Sequence, residues 1–325
     1  MPVPHLSAAG LLLAATILAG ADAPPAIYRQ VGDGPPQTLL LDPDHAILVD
    51  GQGLMLWSMR LVREADGSLV SYQWGRPTGS RLTCDGASAD ATLANGSTLR
   101  FVRQMDAGGQ DWGPLPLAPA ASSRAVRAAV AADLRRLVEA ERSAAAALTR
   151  RLQSPGFTGA YASLPENQVL LRQRDEARAW LRRTLQTSGW ISAEYGAQAL
   201  ADLAELSSSV ANDLRLLRTL QAGAQAALAA GGAEADAVAL LDLAASTLGD
   251  PPPYGSLVLM RPAAPRHGRA ASEVVIPIPA DRAAVDGARS RAGLPTLAQF
   301  ASSRQATVVA IAADGREGSS DARPR

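Results

Sequence analysis

In the segment DRAAVDGARSRA, Asp286 and Arg289 stand three residues apart. On a helix that spacing puts a carboxylate and a guanidinium on one face, where they can pair. An exposed pair of this kind contributes about 0.3–0.5 kcal/mol. Set in a recess, the same guanidinium can hold an anion. Tyr254-Gly255 follows Pro251-Pro252-Pro253 and reads as a rigid turn. Trp190 follows the helix stop Gly189, where an indole packs a helix–helix corner. Packing or pairing within the fold is the default use of each of these residues.

Other chemistries lack their residues. The chain has no lysine, so a Walker-A phosphate lysine, a Schiff base and a Ser-Lys dyad are excluded. His45 and His267 lie far apart, the third histidine is His5 near the start, and Cys84 is the one cysteine. No Cys-x-x-Cys or His-x-x-x-His spacing occurs, so neither a metal site nor a cofactor site is expected. His45 in DPDHA and His267 in APRHGRA read as solvated loop residues. Cys84 has no internal disulfide partner and reads as a buried small hydrophobe or an edge thiol. There is no Gly-x-Ser-x-Gly elbow and no Gly-x-Gly-x-x-Gly after a strand. Glu139 and Glu141 are two apart and point to different sides of a helix, so they are not read as a catalytic carboxylate pair.

Composition bounds the rest. The 325 residues allow a sizeable core and two domains, and 47% are hydrophobic. Aromatics are only 4%, so the core rests on Leu, Val and Ala. The formal net charge is zero, and Arg is interleaved with Asp and Glu, which argues against a nucleic-acid partner. Ser7 to Ala21, SAAGLLLAATILAGA, is too short for a membrane span and suits the apolar region of a signal peptide ending at Ala19-Gly20-Ala21. The expectation is a signal segment over 1–21, a periplasmic or secreted mature chain, and no membrane span after its removal.

The elements that must position these residues come in two kinds. From Ile27 to Arg103, runs such as TLLL, AILVD, LMLWSMRLV, SLVSYQW and TLRFVRQ are separated by Asp66-Gly67, Asp85-Gly86 and Asn95-Gly96. They predict a small antiparallel β domain over 24–105, a sandwich or half-barrel. Trp57, Tyr72 and Trp74 could share one face of it as a ligand platform, or pack its core. A Gly/Pro linker is expected over 106–121. From 122 to 303 the period becomes helical, with stops at Ser154-Pro155-Gly156, Gly189 and Gly249. EVVIPI reads as a strand, and residues 312–325 as a disordered tail. The fold class expected is α+β, a β domain followed by a mainly α-helical bundle.

Five landmarks stand in order: RDEARAWLRRTLQTSGW, Gly196, VALLD, GDPPPYGS and PIPADRAAVDGARSRAGLPTLAQF. Over residues 120–300 this order resembles the bacterial domain of unknown function family 6624. The matching positions are Gly189-Trp190, Gly196, Asp242, Tyr254-Gly255-Ser256, Val285-Asp286, Arg289 and Gly293-Leu294-Pro295. Most of the departures fall on polar groups. Ser207 to Val210 stand in place of Gln-His-Ala-Asp, and Ile191 replaces a Pro, Leu243 an Arg and Leu257 a Gln. The resemblance therefore implies a scaffold that outlived its polar positions, and a non-enzymatic binding or scaffold role beside a protein or envelope component. The competing expectation is a periplasmic hydrolase. Its site would be built from Asp242, Tyr254, Asp286 and Arg289 at one end of the bundle, and those four must meet to reach one substrate.

Overall fold

The computed structural model describes residues 26–32, 34–73, 75–104, 112–154, 160–196, 198–230, 235–266, 269–312 and 315–318. The chain is α+β: an eight-stranded antiparallel β-barrel followed by a helical domain. The barrel strands are β1 (Ala26–Gln30), β2 (Gln37–Leu41), β3 (His45–Asp50), β4 (Met55–Arg63), β5 (Leu69–Gln73), β6 (Arg76–Cys84), β7 (Ser88–Thr92) and β8 (Thr98–Arg103). They pair in sequence order, and β1 closes on β8 through Tyr28↔Arg103 and Gln30↔Phe101. The expected sandwich or half-barrel is thus a closed barrel. What hid the closure was the weak apolar signal of β6 and β7, whose buried apolar residues are only Leu82, Ala89 and Ala91.

Three of the hairpin turns share one chemistry. Asp66, Asp85 and Asn95 each accept backbone N–H groups two or three residues on, and Gly67, Gly86 and Gly96 follow them at φ of 83–86°. Side chains alternate across the strands. Tyr28, Leu39, Leu48, Leu61, Leu82 and Phe101 fill the barrel interior. Trp57 joins them from the inside, whereas Tyr72, paired with Arg60, lies on the opposite face from Ser71 and Leu61. The shared platform of Trp57 and Tyr72 is therefore corrected, and Trp74 lies outside the described residues. The interior holds a cavity of only about 20 Å³, room for a water and no more.

The barrel's outer face is also buried. Leu40, Ile47, Val49 and Met55 pack on Ala211, Leu214, Leu217 and Ala244 of the helical domain. An irregularity in the β3–β4 register between Leu48 and Val49 puts Met55 on that outer face, two residues from inward-facing Trp57. Burial on both faces is why AILV in β3 reads as a continuous apolar run.

The helices are α1 (Arg124–Leu152), α2 (Pro165–Ser188), α3 (Ala199–Val210), α4 (Leu214–Ala229) and α5 (Ala235–Leu248). Leu134, Leu137, Leu181, Leu185, Leu203, Leu206 and Leu220 form their common core. Trp190 packs against it and lies so close to Gly223 that a side chain there would overlap the ring. The expected linker is a strap on this bundle. Trp112 and Leu115 are buried, Leu115 N–H donates to Thr219 Oγ1 at 2.7 Å, and Ala118 N–H donates to the Leu185 carbonyl at 3.1 Å.

The chain ends in a small α/β unit: β9 (Leu259–Arg266), β10 (Arg269–Pro279), α6 (Arg282–Arg291), α7 (Leu297–Arg304) and β11 (Thr307–Ile311), with strand order β11-β10-β9. β10 pairs with β9 up to Val275 and with β11 from Val275 to Pro279. Pro277 and Pro279 share the side that β9 has vacated, so their missing N–H groups cost the sheet nothing. The tail expected to be disordered is partly held: Glu317 N–H donates to the Gly75 carbonyl at 3.0 Å, and Arg316 to Glu64 at 2.9 Å. These bonds fasten residues 315–318 to the barrel.

Candidate functional site

Asp242 and Arg289 come together on the backbone of the turn that carries Tyr254, and Asp286 stands three residues before Arg289 on α6. Asp242 sits on α5, an otherwise apolar stretch, and is 0% exposed. Pro251-Pro252-Pro253 then forbid further helix and turn the chain back over the end of α5. That return brings the turn Tyr254-Gly255-Ser256 over the carboxylate. Asp242 Oδ1 accepts the Tyr254 N–H at 2.8 Å, and Oδ2 accepts the Ser256 N–H at 2.5 Å. Arg289, on α6, holds the same turn from its other side. Its Nη1 donates to the carbonyls of Tyr254 at 2.7 Å and Gly255 at 3.2 Å, and its Nε to that of Pro295 at 2.7 Å. The guanidinium also lies 4.9 Å from the centre of the Phe300 ring. Asp286 accepts the Leu297 N–H at 2.7 Å, at the first residue of α7.

The expected exposed pair of Asp286 with Arg289 is thus replaced. Each side chain turns to backbone, and Arg289 is 1% exposed. Burial pushes the Asp242 carboxyl up to about 6, against the opposing pull of the Ser256 and Tyr254 hydrogen bonds and the Arg289 charge. Burial lowers Arg289 from its ordinary value and raises Tyr254, where the charge on Asp242 adds to the rise. Both carboxylate oxygens of Asp242 and two nitrogens of Arg289 are bonded to main chain, so the cluster ties the α/β unit to the bundle. Tyr254 contributes its backbone to that tie and packs its ring on the bundle core.

A second cluster joins barrel to bundle. His45 opens β3 and is paired with Asp250: Nε2 to Oδ1 is 3.0 Å. Arg60, opposite His45 across the β3–β4 ladder, reaches the same oxygen at 2.7 Å. Burial would raise the Asp250 carboxyl, but His45 and Arg60 together hold it below its ordinary value. The solvated loop histidine is corrected, because its partner lies 205 residues away and is invisible locally. His267 lies outside the described residues. Cys84 is exposed at the end of β6, the edge thiol of the two readings, and partial desolvation holds its thiol above the ordinary value.

A third place was missed in the sequence. Leu171, Arg174, Asp175 and Arg178 of α2 face Ser208, Ser209 and Asn212 at the end of α3 across a cleft of about 270 Å³. Ser208 and Ser209 belong to the segment singled out as a departure from the family pattern. Arg174 Nε donates to Glu141 at 3.2 Å, and Ser209 Oγ bonds the same carboxylate. Arg178 donates to Asp175 at 2.7 Å and to Asn212 Oδ1 at 3.1 Å. One turn on, Arg182 meets the fully buried Asp213 at 2.6 Å, and Asp213 also caps α4 through the Leu216 N–H. The available signal was the four-residue spacing of Arg174, Arg178 and Arg182, which makes a stripe on one face of α2.

Among the described residues no group of three or more His, Cys, Asp or Glu is placed to hold a metal, and no helix is long and apolar enough to cross a membrane. No protein-family model, curated protein or solved structure matches the chain.

Proposed function

We propose that this chain is an exported, non-enzymatic binding or scaffold protein of the periplasm or cell envelope, and a divergent member of the bacterial domain of unknown function family 6624. One observation carries the non-enzymatic reading: of the residues that could have made a hydrolytic site, Asp242 and Arg289 are buried and bonded to the backbone of the turn that carries Tyr254, and Asp286 is bonded to the backbone of Leu297. A general base must come within reach of a substrate proton. Asp242 is 0% exposed with both oxygens accepting backbone N–H groups, and Arg289, 1% exposed, gives Nε and Nη1 to three carbonyls. The family reading rests on the landmark order from Gly189-Trp190 to Gly293-Leu294-Pro295, and export rests on the apolar segment Ser7 to Ala21.

The joined architecture supports a presenting role. Barrel, bundle and α/β unit meet through an apolar seam, the His45–Asp250–Arg60 cluster and the Arg316–Glu64 pair. The test is a hydrolysis panel of ester, amide, glycoside and phosphate substrates on purified protein, with Asp242→Asn alongside. The expected result is no turnover, with a lowered Tm for the variant. Turnover at ordinary rates that Asp242→Asn abolishes at unchanged Tm would overturn the reading and restore the hydrolase.

A further inference from the structure

We infer that the cleft between α2 and the end of α3 is a binding site for a small hydroxy acid, a carboxylate carrying hydroxyl groups. This goes beyond the scaffold role, since a protein can dock on a partner with or without it. The argument begins with the donors. Arg178 has a side chain only 13% exposed, yet its Nε is buried with no hydrogen-bond partner among the described residues. A buried guanidinium nitrogen left unbonded calls for an acceptor. Arg174, beside it along α2, lines the cleft and is bonded through Nε to Glu141. Two guanidinium groups one helical turn apart offer a planar, forked set of donors, the geometry that carboxylates fit.

The anion already at Arg178 is easily replaced. Asp175 is 70% exposed and pairs from three residues away on the same helix. Water screens such a pair, so a ligand carboxylate seated deeper in the cleft can take its place. Glu141 and Asp175 otherwise balance the two arginines, so the cleft does not attract anions on charge alone. The opposite wall supplies the rest of the selectivity. Ser208 Oγ donates to the Glu205 carbonyl at 2.8 Å, and Ser209 Oγ to Glu141. Their protons are spent, and their lone pairs remain to accept from hydroxyl groups. Asn212 accepts from Arg178 through Oδ1, which leaves its amide N–H groups as donors. Arginines on one wall and acceptor hydroxyls on the other fit a ligand with a carboxylate at one end and hydroxyls along its length. The volume of about 270 Å³ admits a compound the size of a six-carbon sugar acid.

The experiment is isothermal titration of the full chain with D-gluconate and D-glucuronate. D-glucitol serves as the neutral polyol and inorganic phosphate as the bare anion. Saturable binding of at least one sugar acid is expected, with Kd about 1 mM or tighter, and both controls should be weaker. Arg178→Gln should weaken binding at least about tenfold. Asp175→Asn should tighten it, because the internal competitor is gone. Ser208→Ala removes a rim hydroxyl without touching the core, and should weaken the sugar acid and leave phosphate unchanged. The inference fails if neither sugar acid binds, if phosphate binds as well as they do, or if Arg178→Gln and Arg174→Gln both leave the affinity unchanged. Turnover in the hydrolysis panel would decide the scaffold reading and leave these outcomes untouched.

Discussion

The Asp242–Arg289 cluster and the Arg174–Arg178 cleft contain the same kinds of group, carboxylates and guanidinium groups on helices, yet they differ in what those groups bind. At the first, Asp242 and Arg289 enclose a backbone turn, and both are shut away from water. At the second, the arginines bond other side chains, and one of those partners lies at the exposed rim. A charge bonded to main chain cannot be exchanged without breaking the fold. A charge bonded to an exposed side chain can change partners at small cost. Ionisable residues that converge are therefore a weaker pointer to a site than ionisable residues with replaceable partners.

Four substitutions sharpen or break that contrast. The largest effect is expected for Arg289→Ala, which leaves three carbonyls and the facing Asp242 without their cation. A loss of about 3–5 kcal/mol in urea unfolding is expected; a loss below 1 kcal/mol would show that the cluster is no tie. Asp242→Asn sets an amide NH2 against one of the two backbone N–H groups and should cost about 1–3 kcal/mol in the same measurement.

Its pH signature is as informative as its size. With the Asp242 carboxyl pushed up to about 6, the folded state keeps a proton that the unfolded chain releases nearer its ordinary value of 3.8. Folded protein thus binds more protons across that window, and this group's contribution to stability falls as pH rises from 3.8 to about 6. Asp242→Asn should flatten that decline, measured as unfolding midpoints at pH 4, 5, 6 and 7; an unchanged slope counts against the buried carboxyl.

At the cleft the effects on stability should be small. Arg178→Gln is expected to cost no more than about 1 kcal/mol, because its side chain bonds an exposed carboxylate and an amide. Asp175→Asn should lie within about 0.5 kcal/mol of the parent. A loss of several kcal/mol from either, read by thermal unfolding, would make the cleft a second structural tie and erase the contrast.

The two places also differ in how far they could be read from the chain. Tyr254, Asp286 and Arg289 stand out because prolines, glycines and a three-residue spacing frame them, and Asp242 because it interrupts an apolar helix. That framing is local, and it marks a turn and two helix ends, which is where those residues act. Nothing local marks Ser208, Ser209 or Asn212. They gain meaning only because α3 ends against α2, so the cleft belongs to no single segment. His45 repeats the lesson, since DPDHA looks like a solvated turn until Asp250 arrives from the far end of α5.

Period, turn chemistry and helix stops are properties of neighbouring residues, so the sequence by itself determined the strand-rich first part, the Asp-Gly and Asn-Gly hairpins, the long helices with their ends, and the strand at EVVIPI. Closure of the barrel, the seam of Leu40, Ile47 and Val49 with Leu214 and Leu217, the burial of Arg289 and the opening beside Arg178 were decided only by the tertiary structure. The physical reason is the range of the interactions. Backbone geometry and side-chain periodicity act over a few residues, whereas desolvation and the pairing of charges depend on which distant surface comes to rest on them.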